Sequence, residues 1–173
     1  HCTFCGLNGK SMAFKDRDHR SVSQELEYQE KKYGIQKFEA VDNILSMRYF
    51  RTLIPELANR NEPLQIFYET KSNLSEKHIR ELSSAGITWI QPGIESMDPK
   101  SLQLLRKGNS IAGNIALLKF AVENGVRVSW NLLIGVPGEE PSSYDNMSKI
   151  FSQILHLQPP SSIVRVRIDR FSP

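Results

Sequence analysis

Two hydrophobic periods alternate along this chain, and that alternation limits what it can fold into more than any other feature. Stretches with apolar residues three and four apart, opened by capping residues, are separated by short runs rich in β-branched and aromatic residues. The runs centre near Glu39, Phe67, Gln91, Asn131 and Val166, about 32 residues apart, close to the ~30 residues of a strand-helix-strand unit. The spacing predicts an α/β chain with a parallel sheet.

The expected strands are Lys37 to Asp42, Leu64 to Lys71, Thr88 to Ile94, Val126 to Ile134 and Ile163 to Ile168. Pro92 weakens the third, because proline cannot donate to a ladder. The first expected helix opens at Ser21, with Gln24 completing a capping box, and closes at Gly34. The second carries Met47, Phe50, Leu53, Ile54 and Leu57 on one face and kinks at Pro55. Ser75 caps a third, ended by Gly86. Asp98-Pro99 starts a fourth, Gly108 interrupts it, a further segment runs from Ser110 to Gly125, and the last spans Pro141 to His156.

With 173 residues, 39% hydrophobic and 24% charged, the chain fits one domain with its own core. Twenty-two Lys and Arg against 19 Asp and Glu give +3 with no basic run, which argues against nucleic acid or a membrane as the main partner. No apolar stretch reaches the ~20 residues of a membrane span, and no signal-peptide pattern opens the chain, so a cytoplasmic protein is expected. His1 in place of Met, and the end at Phe171-Ser172-Pro173, read as a piece of a longer polypeptide.

Alternation within the strands separates two parallel architectures. A doubly wound sheet or a packed barrel has strands apolar on both faces. Here Phe67, Glu69 and Lys71 oppose Ile66, Tyr68 and Thr70. Ser129, Asn131 and Leu133 oppose Val128, Trp130, Leu132 and Ile134. Arg165, Arg167 and Asp169 oppose Val164, Val166 and Ile168. With helices on the apolar faces, the polar faces line an interior open to water or a ligand, since unpaired buried charges cost several kcal/mol each. An open, polar-lumened partial barrel is expected; a sheet with one face in water, or structural pairing of these charges, is the alternative.

Both cysteines, Cys2 and Cys5, lie in the first five residues, which excludes a disulfide scaffold. A redox pair would sit directly before the helix it caps, whereas here some fifteen residues intervene before Ser21. A zinc site would need His1 and His19 as well. The spacing also suits thiolate ligands of an iron–sulfur cluster, with further ligands upstream of residue 1.

His-Cys-Thr-Phe-Cys-Gly-Leu resembles the second half of the C-x3-C-x-aromatic-C signature of radical S-adenosylmethionine enzymes. HCTFCGLNG, FEAVDNILSMRYF, WIQPGIES, LRKG, VSWNLLIGVPGE and HLQPPSSIVRVRIDRFSP together resemble the cobalamin-linked branch that matures ribosomally made peptides, over the whole chain. The resemblance implies a (β/α)6 partial barrel whose first strand precedes this chain, so that residues 1–173 hold the cluster loop and strands two to six of the core domain. It implies an upstream cobalamin-binding domain, and a fragment inactive alone. The implied cofactors are a [4Fe–4S] cluster, S-adenosylmethionine and cobalamin. The implied partners are a precursor peptide and a reductant such as flavodoxin or ferredoxin. The implied reaction is cleavage of S-adenosylmethionine to a 5′-deoxyadenosyl radical, used in C-methylation of the peptide.

By that resemblance Cys2 and Cys5 are cluster ligands, with a third cysteine two residues before His1, and the backbone of Phe4 touches the adenine. Asp42 and Asn43 stand where many members hold the amino group of S-adenosylmethionine with a Gly-Gly-Glu segment, from which this chain departs; the alternative is a helix cap. Glu95 and Ser96 occupy the ribose-contacting position, or cap the helix at Asp98. Glu69 and Lys71 pair with each other or meet cofactor groups, and Asn131 faces the adenosyl moiety. Arg165 and Arg167 hold a carboxylate or phosphate of the peptide, or pair with Glu69 and Glu95. The loop Gly135 to Glu139 is either a turn or a contact. His78 and His156 read as surface residues without a role. Two rival readings stay open: another radical enzyme, such as a methylthiotransferase or a lipid- or antibiotic-modifying member, and a zinc-stabilised peptide-binding module.

Overall fold

A computed structural model of the chain describes residues 14–42 and 44–168. Helix α1 (His19–Tyr33) is followed by β1 (Lys37–Glu39), a 3-10 helix (Met47–Arg51), α2 (Leu53–Ala58), β2 (Gln65–Thr70), α3 (Glu76–Ser84) and β3 (Trp89–Pro92). Then come α4 (Pro99–Leu104), α5 (Ile111–Glu123), β4 (Arg127–Val128), β5 (Asn131–Ile134), α6 (Pro141–Gln153) and β6 (Ser162–Arg165). All strand pairs are parallel and follow chain order, β1-β2-β3-β4 and β5-β6. Because each strand adds to the same edge and parallel crossovers are right-handed, the helices gather on one face. The other face carries no helix between these strands, which is the winding of a barrel wall.

The helix-side core is apolar. Ile66 and Tyr68 of β2, Ile90 of β3, Val128, Trp130 and Leu132 pack with Leu53, Ile54, Ile79, Leu82, Leu117 and Leu118 from the helices. In β2 the expected alternation holds: Ile66, Tyr68 and Thr70 are buried while Phe67 and Glu69 are half-exposed. On the opposite face the Phe67 ring packs against Trp89, tilted by 58° with centroids 4.7 Å apart. The Arg127 guanidinium lies 4.5 Å over the same indole, and Trp89 Nε1 donates to Ser129 Oγ at 2.8 Å. Phe67, Trp89 and Arg127, register neighbours, line the lumen toward the strands' N-terminal ends with two aromatic rings as well as charge.

Several local readings need correction. Helix α1 starts at His19 because Asp18, not Ser21, caps it, accepting from the N–H groups of Arg20 and Ser21. Pro55 does not kink a long helix. The chain breaks at Thr52 (φ −132°, ψ −85°), and Pro55 sits in the first turn of α2, where its missing N–H costs nothing. Ser75 caps α3 as expected, but its box partner is His78, whose Nδ1 accepts from the Ser75 N–H at 3.2 Å, so His78 is a capping residue.

The expected strand from Val126 to Ile134 is two strands. β4 follows β3 and β5 pairs with β6, joined to β3's end by a bridge from Leu132 to Glu95. Beyond Pro92 two successive tight turns, Ile94 N–H to Pro92 O and Ser96 N–H to Ile94 O at 2.8 Å each, interrupt the ladder, and among the described residues there only Glu95 between them bonds to β5. The Gln158 carboxamide substitutes for a neighbouring strand along β4, accepting from Val128 N–H at 2.8 Å and donating to Val126 O at 2.9 Å.

The parity of the last strand is also reversed. β6 sets Val164 beside Leu133 and Arg165 beside Ile134, and side-by-side residues of a pleated sheet share a face. Ile134 packs against the main core, so Arg165 is on the helix side. Val166 packs with Leu105, Leu133 and Val136 in a separate small cluster. Ile163, Val164 and Ile168 are exposed. Partner register, which the sequence pattern of one strand does not contain, decides which side is inward.

Gly86 carries a testable packing constraint. It adopts φ +78°, and a Cβ there would lie 1.9 Å from the Leu64 carbonyl oxygen. Gly86→Ala is expected to destabilise the fold by about 3 kcal/mol, read as a lower urea midpoint at unchanged slope.

Candidate functional site at the strand C-terminal ends

β2 and β3 end side by side, with Glu69 opposite Gln91 and Thr70 opposite Pro92. Three charged side chains converge there. Lys107, from the turn between α4 and α5, donates from Nζ to Glu95 Oε1 at 3.1 Å, with side-chain exposures of 12% and 16%. Gly93 makes this approach possible, since a Cβ at that position would lie 2.6 Å from Lys107 Nζ and 3.4 Å from Glu95 Oε1. The Glu69 carboxyl is held above its ordinary pKa, first by desolvation and then by the negative charge of Glu95. Lys107 is the site residue that sequence reasoning missed. Its signal was present, a lysine twelve residues after Glu95 within LRKG, but a helix-turn segment hides which way one lysine points.

Glu95 stands out in its backbone as well, with φ +62° on a residue that has a Cβ. Its carbonyl accepts from Leu133 N–H at 2.8 Å, which ties the loop after β3 to β5. Side chains with this conformation persist where surroundings hold them, and such positions gather at functional sites.

Not all expected site residues meet here. Ser96 is fully buried; its Oγ accepts from Asp98 N–H at 3.1 Å and donates to Met147 Sδ at 3.4 Å, so its hydroxyl belongs to the turn that starts α4. Asp42 is half-buried and faces Tyr68, on the helix side of β2. Burial and then the Asp42 charge push the Tyr68 hydroxyl far above its usual range, and it donates a hydrogen bond to that carboxylate. Asn131, half-buried on β5, accepts from Ser162 Oγ at 2.6 Å. Cys2, Phe4, Cys5 and Asn43 lie outside the described residues. Among the described residues no three His, Cys, Asp or Glu side chains gather as a metal site.

Two of the open alternatives are decided by contacts in the structure. Glu95 pairs with Lys107, not with Arg165 or Arg167. The Gly135 to Glu139 loop is a turn organised by Glu139, whose carboxylate accepts from Gly135 N–H (2.9 Å), Val136 N–H (3.1 Å), Tyr144 Oη (2.6 Å) and Ser101 Oγ (2.7 Å). No described helix is long and apolar enough to cross a membrane.

The raised Glu69 pKa has a sign that can be tested. The folded chain binds this proton more tightly than the unfolded chain, so the contribution is complete below the ordinary carboxylate range and is lost as pH rises through the raised value. Ionised Glu69 therefore weakens the fold at neutral pH. Glu69→Gln is expected to raise the melting temperature by about 1–3 °C at pH 7 and to change little near pH 4. A variant that melts lower at pH 7 would contradict this assignment.

The sequence matches the family model described as the Radical SAM superfamily over residues 1–149. It is 27% identical over 145 residues to an uncharacterized methyltransferase of Pyrococcus horikoshii, covering 80% of this chain and 31% of that protein. A putative methylthiotransferase of Methanocaldococcus jannaschii is 25% identical over 162 residues, covering 83% and 34%. The chain thus spans about a third of the length of these two relatives. The fold is similar to that of TsrM from Kitasatospora setae, a radical S-adenosylmethionine methyltransferase solved with its tryptophan substrate and an analogue of S-adenosylmethionine, at TM-score 0.85, 21% identity and coverage of 99% and 35%. It also matches the cobalamin-dependent radical enzyme OxsB at TM-score 0.76, 15% identity and coverage of 99% and 26%. The fold likeness agrees with a parallel wall wound in one direction, and by the family match over residues 1–149 the chain belongs to the Radical SAM superfamily.

Proposed function

We propose that this chain is the core of a cobalamin-dependent radical enzyme that methylates carbon in a ribosomally made precursor peptide. The observation that carries the reading is the Glu69, Glu95 and Lys107 group, because its charges complement the ligand. S-adenosylmethionine offers an ammonium, a carboxylate and a ribose diol. Glu69 suits the ammonium, Lys107 the carboxylate and Glu95 the diol, and the absence of a Cβ at Gly93 leaves room for the lysine. Binding an ammonium also neutralises Glu69 beside Glu95, so the repulsion that burdens the free chain becomes binding energy.

Cys2 and Cys5, with a third cysteine upstream, form the thiolate set that suits three irons of a [4Fe–4S] cluster. When bound, the cluster supplies the electron that breaks a carbon–sulfur bond of S-adenosylmethionine. The protein's part is to hold the methionine end by opposite charges, orient the ribose through Glu95, and keep the lumen shielded from water. The fold likeness to two cobalamin-linked enzymes supports the cobalamin assignment, and the peptide substrate rests on the six motifs of the maturation branch. Flavodoxin or ferredoxin is the proposed electron donor. The reducing cytoplasm, where thiols stay free for metal, is the proposed compartment.

The Methanocaldococcus jannaschii relative favours a second reading, methylthio transfer. One experiment separates the two. The full-length polypeptide, purified without oxygen, is expected to contain iron and sulfide, to cleave S-adenosylmethionine under a reductant, and to add a methyl mass to its precursor peptide in the presence of cobalamin. A methylthio mass would select the second reading, and stoichiometric zinc without iron would overturn both.

A further inference from the structure

The loop that presents Glu95 is held by two asparagines that no reading of the site has used. Asn114 is fully buried in α5, among leucines such as Leu117 and Leu118, where a carboxamide is costly unless satisfied. Its Nδ2 donates to the carbonyl of Ser96 at 3.2 Å, and its Oδ1 accepts from Asn109 Nδ2 at 3.0 Å. Asn109 Nδ2 also donates to Ser72 Oγ at 2.9 Å and lies 3.4 Å from the carbonyls of both Gly93 and Ile94. Three of the oxygens around this nitrogen, the carbonyls of Gly93 and Ile94 and the Asn114 Oδ1, can only accept, which assigns this end of the Asn109 amide as the donor. The carbonyls of Gly93, Ile94 and Ser96 thus face two side chains of the α4–α5 turn and α5, while the carbonyl of Glu95 is taken by Leu133. The one residue enclosed by these contacts is the one in the left-handed conformation.

We propose that Asn109 and Asn114 are positioning residues, a carboxamide clamp that holds Glu95 in its left-handed conformation and so presents its carboxylate to the ribose of S-adenosylmethionine. The ligand half of this statement rests on the function proposed above; the clamp half does not. Without the clamp, Glu95 relaxes toward ordinary backbone angles and its carboxylate leaves Lys107 and the lumen.

The test uses the full-length protein and two readouts. In the first, without ligand, Glu95→Gly is compared with Glu95→Ala. Glycine accepts φ +62° and alanine does not, so the glycine variant is expected to melt about 2 °C higher. In an Asn114→Leu or Asn109→Ala background that gap is expected to close, because the loop no longer has to adopt the left-handed angle. Asn109→Ala serves if the fully buried Asn114 position does not tolerate change. In the second, calorimetry measures S-adenosylmethionine, 5′-deoxyadenosine and methionine binding. The asparagine variants are expected to weaken the first two by about tenfold and to leave methionine unchanged, with iron content intact. In a Glu95→Ala background the same substitutions are expected to add nothing.

A glycine–alanine gap that survives both asparagine substitutions overturns the clamp, whatever the protein binds. A gap that closes while S-adenosylmethionine affinity stays unchanged overturns the positioning role. A gap that closes in a protein that binds no S-adenosylmethionine leaves the clamp standing and removes the proposed function.

Discussion

Cys2→Ala or Cys5→Ala is expected to leave the full-length protein without its cluster, with iron and sulfide at background and cleavage of S-adenosylmethionine lowered by at least about 10³-fold. Under the proposed function two of three thiolates come from a span of four residues, so losing either would leave too few ligands to hold the cluster. The fold is expected to survive, because the described core around Leu53, Ile79, Ile90 and Leu117 is packed from apolar side chains of residues 45–157. Far-ultraviolet circular dichroism unchanged beside lost iron absorbance is the supporting pair of results. Retained iron in both variants would remove these cysteines from the site.

The second large effect is expected at Lys107. Lys107→Met keeps the length and most of the apolar stem but takes the ammonium away from Glu95, which then lies partly buried beside Glu69 with no compensating charge. Removing one member of a buried pair costs about 3 kcal/mol when the other charge stays behind. S-adenosylmethionine affinity is expected to fall by about 100-fold, more than methionine methyl ester affinity, because the ester lacks the carboxylate that Lys107 would hold. Combining Lys107→Met with Glu95→Gln is expected to recover stability without recovering affinity. Equal losses for the acid and the ester would assign Lys107 a structural role only.

The two results together separate the halves of the site. Under the proposed function the cysteines hold the metal, and their loss is expected to leave the charged group at the ends of β2 and β3 in place. Lys107 is proposed to act on the organic ligand, and its loss is expected to leave the iron in place. A protein in which either substitution abolished both properties would have a single cooperative site instead.

Much of the architecture was legible in the residues alone. Helix-period stretches and β-branched runs recurring at the length of a strand-helix-strand unit required parallel strands, because a connection of that length crosses over rather than turning back. The alternation Ile66, Tyr68, Thr70 against Phe67 and Glu69 identified a wall with one apolar side, and β2 has that form. Glu69 and Glu95 were recognisable as strand-end carboxylates because strand and helix boundaries on either side are marked by Gly86, Pro92 and Asp98.

What only the tertiary structure decided are matters of partner and direction. Val126 to Ile134 has the composition of one strand, yet Pro92 and the tight turns after it interrupt the ladder on that side, so the segment is split into β4 and β5. Arg165 alternates with valines as a lumen residue would, and the register against β5 puts it on the other side. Ser96 and Glu95 are adjacent in sequence, but the left-handed turn sends one side chain into the core and the other toward Lys107. Local patterns record which residues avoid water, an energy each residue carries by itself. Register, pairing and backbone handedness are properties of two segments at once, and the contacts that set them join residues far apart in the chain.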